Sequence, residues 1–149
     1  MRKILSRFAL VAALGVLPVG AVTVTATPAF AASCSGSSCS FLDPYQTGCS
    51  SGSYPVMTQY PSWGGEAQLW WSPACQTNWT VYYAPGTSGW TWSTGVGNNY
   101  GQWDYGPPYT GSLTGWTDQL YSPGPATMCV SRTPSGGGQT QWACWTQPR

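Results

Sequence analysis

The chain has 149 residues, of which only 6% are charged and none is His, while ten are Trp and nine are Tyr. Three of the five basic residues precede residue 8, so residues 32–149 have a net charge of −2. This part lacks the clustered Lys and Arg that bind nucleic acid or an anionic membrane, and we expect neither as a partner. Its charged residues are Arg132, Arg149, Asp43, Glu66, Asp104 and Asp118.

The first 31 residues have the three-part pattern of a secretory signal peptide. A basic start is followed by an uncharged apolar run over residues 8–24, and Ala29-Phe30-Ala31 forms a small-residue cleavage site. We expect cleavage before Ala32 and secretion to the extracellular space. The remaining 118 residues, 32–149, are the size of one domain.

Two alternatives to a cleaved leader stay open. A retained anchor needs about 20 predominantly apolar residues, whereas Gly15, Pro18 and Gly20 interrupt this run. Lipidation at Cys34 would leave five cysteines, an odd number, and Ala31 stands where a lipoprotein cleavage box usually has Leu. We therefore expect no stable membrane anchor.

All six cysteines follow the predicted cleavage site, and an even number in a small exported chain predicts disulfides rather than a zinc site. We expect no metal and no cofactor. A turn centred on Gly136 and Gly137 would place Cys129 opposite Cys144, within reach of a disulfide. The other four cysteines allow three pairings. We favour Cys34–Cys49 with Cys39–Cys75, because that pairing ties the N-terminal loop to the next hairpin.

The pattern of the domain is that of short strands separated by turn residues. Residues 32–53 read as a cysteine-rich loop leading into the domain, and no later window has a helical apolar period. These features predict an all-β, disulfide-stabilised sandwich or barrel of about seven or eight short strands with long Gly- and aromatic-rich loops. Strands are expected near residues 54–60, 68–72, 78–83, 90–94, 100–105, 118–121, 127–132 and 139–145.

The N-terminal half of the domain resembles a known family. Cys34-x-Gly36-x-x-Cys39 is followed by Asp43-Pro44 and Gly48-Cys49, and later by Leu69-x-x-Ser72-Pro73-x-Cys75-x-x-x-Trp79. Over residues 34–83 this pattern is similar to the secreted actinobacterial proteins of the domain of unknown function 2690 family. The family usually has Arg where this chain has Trp70. The resemblance implies secretion and a cysteine-bound β domain, and it names no catalytic residue.

Aromatic residues are the most unusual feature of the domain. Trp71, Trp79 and Trp142 lie in predicted strands beside cysteines, where we expect core positions. The rings over residues 89–109 are instead spaced by Gly, Asn, Gln and Asp, a mixture that suits either packing or an exposed binding surface. Flat rings with nearby amides fit sugar rings. The candidate ligand-binding residues are Trp90, Trp92, Asn99, Tyr100, Trp103, Asp104 and Tyr105.

Catalysis is limited by composition. The absence of His and Lys from residues 32–149 excludes the usual base of a Ser or Cys nucleophile. Only a carboxylate pair remains, and Asp104 lies between Trp103 and Tyr105, where desolvation would raise its pKa. The same acids also suit turns and solubility, so we expect no catalytic residue.

Three functions follow in order of preference. The first is a monomeric, non-catalytic secreted domain that binds a neutral glycan or cell-envelope polysaccharide. The alternatives are a secreted protein-binding effector or inhibitor and, third, a small carboxylate-dependent glycoside hydrolase.

Overall fold

The structure is a computed structural model that describes residues 31–111 and 114–148. The leader predicted for the first 31 residues lies, apart from Ala31, outside the described residues. Within them, no helix is long and apolar enough to cross a membrane. The described residues form ten strands and one 3₁₀ turn at Gly36–Cys39. The strands are β1 Tyr54–Gln59, β2 Glu66–Ser72, β3 Thr77–Tyr83, β4 Trp90–Asn98, β5 Trp103–Tyr105, β6 Tyr109–Thr110, β7 Thr114–Trp116, β8 Leu120–Tyr121, β9 Ala126–Pro134 and β10 Gln141–Gln147.

The strands form two antiparallel sheets that face each other as a sandwich, which confirms the predicted fold class. The first sheet has the order β1-β2-β3-β7, and β8 also pairs with β3. The second has the order β10-β9-β4-β5, and β6 also pairs with β4. The strand number is higher than expected because β5 to β8 are each only two or three residues long. Pro107-Pro108 and the glycines in this stretch interrupt longer pairing.

The core lies between the two sheets and joins aliphatic and aromatic side chains. Leu69 and Tyr82 of the first sheet meet Trp92, Val96 and Met128 of the second, and all five are at most 1% exposed. Residues two apart in a strand share a face, so β4 directs Trp92, Thr94 and Val96 inward. It therefore directs Gly95 and Gly97 outward.

The N-terminal loop covers the outer face of the first sheet, so β3 is buried on both faces. The buried amide of Gln119 joins the N-terminal loop to β3. Its Nε2 donates to Thr47 Oγ1 at 2.9 Å, and its Oε1 accepts from Thr77 Oγ1 at 2.7 Å. Tyr45 packs edge-on against Trp79, which is fully buried as expected of a core residue.

Three disulfides are present, and they correct one expectation. Cys129 and Cys144 are directly opposed in the β9–β10 pair and are bonded, which confirms the predicted pair and its hairpin register. The other bonds are Cys34–Cys39 and Cys49–Cys75, so the expected pairing of Cys34 with Cys49 and of Cys39 with Cys75 is wrong. All four sulfur atoms lie within 4.8 Å of one another, which is why spacing along the chain could not separate the pairings. The Cys34 sulfur, which lipidation would need free, is in the bond to Cys39.

Candidate functional site

Three aromatic rings are exposed together on the outer face of the second sheet. Trp103 and Tyr105 alternate with Asp104 along β5, so they share a face, and Trp142 extends from β10. The exposed fractions are 42% for Trp103, 59% for Tyr105 and 47% for Trp142. The ring centroids of Trp103 and Tyr105 are 6.0 Å apart with 11° between their planes, and Trp142 meets Tyr105 edge-on at 5.8 Å. We call these three residues the aromatic platform.

Two glycines of β4 form the support beneath the platform. Gly97 pairs with Trp103, and Gly95 pairs with Tyr105. A Cβ built on Gly97 would lie 2.8 Å from the indole of Trp103, and one on Gly95 would lie 3.2 Å from the ring of Tyr105. The rings therefore rest on bare backbone, a use of strand glycine that allows close approach. The packing orders both rings while their other faces stay open to solvent.

The surface beside the platform is polar and uncharged. In the register of the sheet, Gly97 is followed across β9 and β10 by Thr127 and Thr146, whose hydroxyl groups are 2.8 Å apart. The neighbouring row contains the Cys129–Cys144 disulfide. This face thus presents rings next to hydroxyl groups and a sulfur cross-link that fixes two of its strands.

A cleft of about 340 Å³ opens on the other side of β5. Asp104 faces it, because Asp104 lies on the opposite side of the strand from the platform rings. Asp43 reaches it from the N-terminal loop and Asp118 from the connection between β7 and β8, so three of the four acids of residues 32–149 share one cleft. Its aromatic lining consists of Tyr105, Tyr109 and Trp116.

The cleft shifts the titration of two of its carboxyl groups. Burial is the main cause that raises the pKa of Asp104, and the charge of Asp118 adds to it. Backbone N–H groups of Asp118 and Tyr105 oppose this shift by donating to the Asp104 carboxylate. Burial also raises the pKa of Asp118, with a further contribution from the charge of Asp43. Asp43 itself begins a turn, since its Oδ1 accepts from the N–H groups of Tyr45 and Gln46 at 2.7 and 3.2 Å.

No basic side chain balances these carboxylates in the described part of the chain. Its one basic side chain is Arg132, which lies over the rings of Trp63 and Trp90 at 5.0 and 4.4 Å. Its Nε donates to Gln141 at 2.7 Å. The cleft is therefore anionic, with aromatic walls.

The structure distributes the predicted binding residues over several places. Trp103 and Tyr105 belong to the platform, and Asp104 belongs to the cleft. Trp92 is 1% exposed in the core, so its assignment to a binding surface is wrong. Trp90, which shares the inner face of β4 with Trp92, is half-buried beneath Arg132.

The remaining two predicted residues lie on the loop that joins β4 to β5. Tyr100 is 58% exposed and stacks on Tyr121 with ring centroids 5.9 Å apart, and Asn99 next to it is exposed. The predicted set is therefore not a single site.

Sequence reasoning missed Trp142, which was expected in the core. The hairpin register contained a signal for its exposure. Trp142 and Cys144 are two residues apart, so their side chains must share a face of β10, and this is the outer face that carries the disulfide. Asp43 and Asp118 are among the four acids from which a carboxylate pair could come, but nothing in their spacing along the chain indicates that they meet Asp104.

The described residues offer no open metal site. Their one cluster of His, Cys, Asp or Glu compact enough to hold an ion consists of Cys34, Cys39, Cys49 and Cys75, and all four sulfurs are in disulfides. The three aspartates of the cleft do not form such a cluster.

Comparison with known proteins gives no further identification. No protein-family model matches the chain, and no curated protein or solved structure matches it significantly. The resemblance to the domain of unknown function 2690 family therefore stays a prediction. The platform and the cleft are the features that bear on function.

Proposed function

We propose that the protein is a secreted, non-catalytic glycan-binding domain whose contact surface is the aromatic platform. The observation that carries the proposal is the pair of exposed, nearly parallel rings of Trp103 and Tyr105 held on glycine backbone. The C–H faces of a pyranose are apolar and flat, so they stack on such rings while their hydroxyl groups point to polar neighbours. Rings that are already ordered lose little conformational entropy when a ligand binds.

The chemistry around the platform supports a neutral ligand. Thr127 and Thr146 supply hydroxyl groups that donate and accept hydrogen bonds, as sugar hydroxyls require. Each platform ring belongs to a row of paired residues that runs across the strands of the second sheet. No described residue in these rows is charged. Secretion is supported by the three disulfides, because such bonds persist in oxidising compartments.

Retention on insoluble polysaccharides tests this proposal. We expect the disulfide-bonded protein to be retained on at least one of chitin, cellulose and peptidoglycan. Tyr105→Ala should weaken retention about tenfold, the equivalent of one lost ring contact of about 1.4 kcal/mol. The matched control is Tyr60→Ala, which removes another exposed tyrosine, 69% accessible and outside the platform. Lack of retention on all three polymers, or equal losses in the two variants, would refute the proposal.

A second candidate function, a carboxylate-dependent glycoside hydrolase, is favoured by the three aspartates in one cleft. Such an enzyme needs one protonated and one ionised carboxyl group flanking the scissile bond. Burial supports the protonated role for Asp104, since a general acid works best with a pKa above the ordinary value. Release of new reducing ends from a polysaccharide, abolished by Asp104→Asn, would support hydrolysis. Absence of product from every polymer that the protein binds would exclude it.

A further inference from the structure

The second sheet ends at β10, an edge strand without the usual protection against pairing. β10 pairs only with β9, and no other backbone group in the described part of the chain hydrogen-bonds to it. It is seven residues long, its register with β9 is unbroken, and it contains neither a proline nor a charged residue. Such an edge offers its open N–H and C=O groups to a further strand.

The other edges of the two sheets are each blunted. β1 contains Pro55, and its register with β2 shifts between Pro55 and Met57. β5 and β6 have three and two residues and are separated by Pro107-Pro108, and β7 and β8 are equally short. Short strands, irregular register and prolines all hinder pairing with another chain. Among the described edges, β10 is the one that stays competent for pairing.

The spacing across the β9–β10 pair shows which backbone groups of β10 are open. The Cα atoms of Cys129 and Cys144 are 4.2 Å apart, the short spacing of a pair that exchanges no backbone hydrogen bonds. The N–H and C=O groups of Cys144 therefore point away from β9. Because this direction alternates along a strand, those of Trp142 and Thr146 point away as well. The edge thus presents donors and acceptors at every second residue.

We propose that β10 pairs antiparallel with β10 of a second copy of this chain, so that the protein is a two-fold symmetric dimer with one continuous sheet. The symmetry axis passes between the two Cys144 residues, perpendicular to the sheet. The backbone of Cys144 then bonds to Cys144 of the partner subunit, and Trp142 bonds to Thr146 of the partner subunit. The two edges together form about six hydrogen bonds and leave no open group at these positions.

The side chains of β10 favour its own copy as the partner strand. A one-residue slip would set outer-face against inner-face side chains, so the axis passes through a residue, and Cys144 gives the longest overlap. On the outer face, Trp142 lies opposite Thr146 of the partner subunit, a favourable aromatic and β-branched pair. On the inner face, the large Trp145 lies opposite the small Ala143 of the partner subunit. The glutamines at the two ends of the strand face each other, so no like charges meet.

The dimer places both aromatic platforms on one surface. A two-fold axis perpendicular to the sheet keeps the outer faces of the two copies on the same side, so one polymer surface can contact both platforms, which raises the overall affinity. Dimerisation itself does not depend on glycan binding. It departs from the monomer expected from the sequence, because the sequence does not show which strand ends the sheet.

Sedimentation equilibrium of the disulfide-bonded protein, without glycan, tests the dimer. We expect twice the monomer mass at micromolar concentration. Thr146→Pro removes an open N–H group without removing a bond to β9, and it should raise the dissociation constant about thirtyfold, because two of the hydrogen bonds between the copies are lost. Thr146→Ala is the matched control. It removes the same hydroxyl contact to Thr127 but keeps the N–H group, so it should still dimerise.

Amide hydrogen exchange of the unmodified protein gives a test that does not depend on how the proline variant folds. The N–H groups of Trp142, Cys144 and Thr146 should exchange more slowly as the protein concentration rises through the dissociation constant. The N–H groups of Ala143 and Trp145, which bond to β9, should not respond to concentration.

Three results would overturn the proposal. The first is a monomer mass at every concentration, including the case in which the open amides are protected only by an added extended peptide, since the occupant would then be a foreign strand. The second is an equal dissociation constant for Thr146→Pro and Thr146→Ala. The third is a dimer without concentration-dependent protection at Trp142, Cys144 and Thr146, which would place the interface elsewhere. None of these results bears on the glycan-binding proposal, which is tested by retention on polysaccharide.

Discussion

Trp103 lies flat against the backbone of Gly97, and its indole is 2.8 Å from the position that a Cβ on that glycine would occupy. Tyr105 has the same relationship to Gly95, two residues along β4. The glycines on one strand therefore determine how the rings on the next strand are presented. The platform is a property of the β4–β5 pair, and substitutions beneath it should change its shape.

Gly97→Ala is expected to displace the Trp103 ring and to lower the free energy of unfolding by about 1–3 kcal/mol, as overpacking does. The added methyl group would meet the indole and leave the ring no space against β4. Urea denaturation followed by tryptophan fluorescence measures the change in stability, and retention on polysaccharide measures the change in the platform. Gly136→Ala is the control, because nothing lies within 4 Å of its Cβ position. Equal stability of the two variants would show that the ring is not held by Gly97.

Removal of the Cys129–Cys144 bond by substituting both cysteines with Ala should cost about 3 kcal/mol of stability, from the loop entropy of the unfolded chain. The sequence separation of this pair is 15 residues, compared with 5 for Cys34–Cys39, whose removal should cost only about 2 kcal/mol. Guanidinium denaturation of the two double variants measures the difference. The reverse order would show that native contacts, rather than loop entropy, determine the contribution of each bond.

The all-β class and the last hairpin could be predicted because both depend on local pattern. Alternation and turn residues indicate strands, and a symmetric turn at Gly136 and Gly137 places Cys129 opposite Cys144. The cysteines of the N-terminal loop behave differently, since their four sulfurs converge within 4.8 Å and sequence spacing cannot rank the pairings.

The site was only partly predictable because its two parts depend on which face of a strand each residue occupies and on long-range contacts. Trp92 and Trp103 look alike in the sequence, yet one faces the core and the other faces solvent. Their faces are fixed by the pairing of β4 with β5 and β9. The cleft joins Asp43, Asp104 and Asp118 from three separate segments, and no pattern in one sequence reports that approach.

Gln119→Leu should lower the free energy of unfolding by about 1–3 kcal/mol, because Thr77 and Thr47 would each lose a buried hydrogen-bond partner. The loss should also loosen the N-terminal loop from β3. Hydrogen exchange measures this at the Phe41 N–H group, which donates to the carbonyl oxygen of residue 119 at 2.8 Å. Gln46→Leu changes an exposed residue of the same loop and serves as the control. Unchanged exchange at Phe41 in Gln119→Leu would contradict a role for the amide in docking the loop.

The pH dependence of stability should carry the signature of Asp104. Burial raises the pKa of this carboxyl group in the folded protein above its unfolded value of about 3.9. Between those two pKa values the folded state binds more protons than the unfolded state, so the stability contribution of Asp104 decreases as the pH rises through that interval. Below both pKa values the group no longer affects the pH dependence. The sign of this pH dependence of stability is opposite to that of an aspartate held in an ion pair.

The measurement compares the free energy of unfolding of the unmodified protein and of Asp104→Asn across the acidic range. The stability of the protein relative to Asp104→Asn should fall as the pH increases from about 4 toward neutrality, because only the aspartate becomes a desolvated anion. Glu66→Gln removes an acid outside the cleft and should not reproduce this trend. A relative stability that rises with pH would mean that the backbone N–H groups of Asp118 and Tyr105 stabilise the Asp104 carboxylate more than burial destabilises it. Asp104 would then stay ionised across this pH range, and that would remove the support for Asp104 as a general acid.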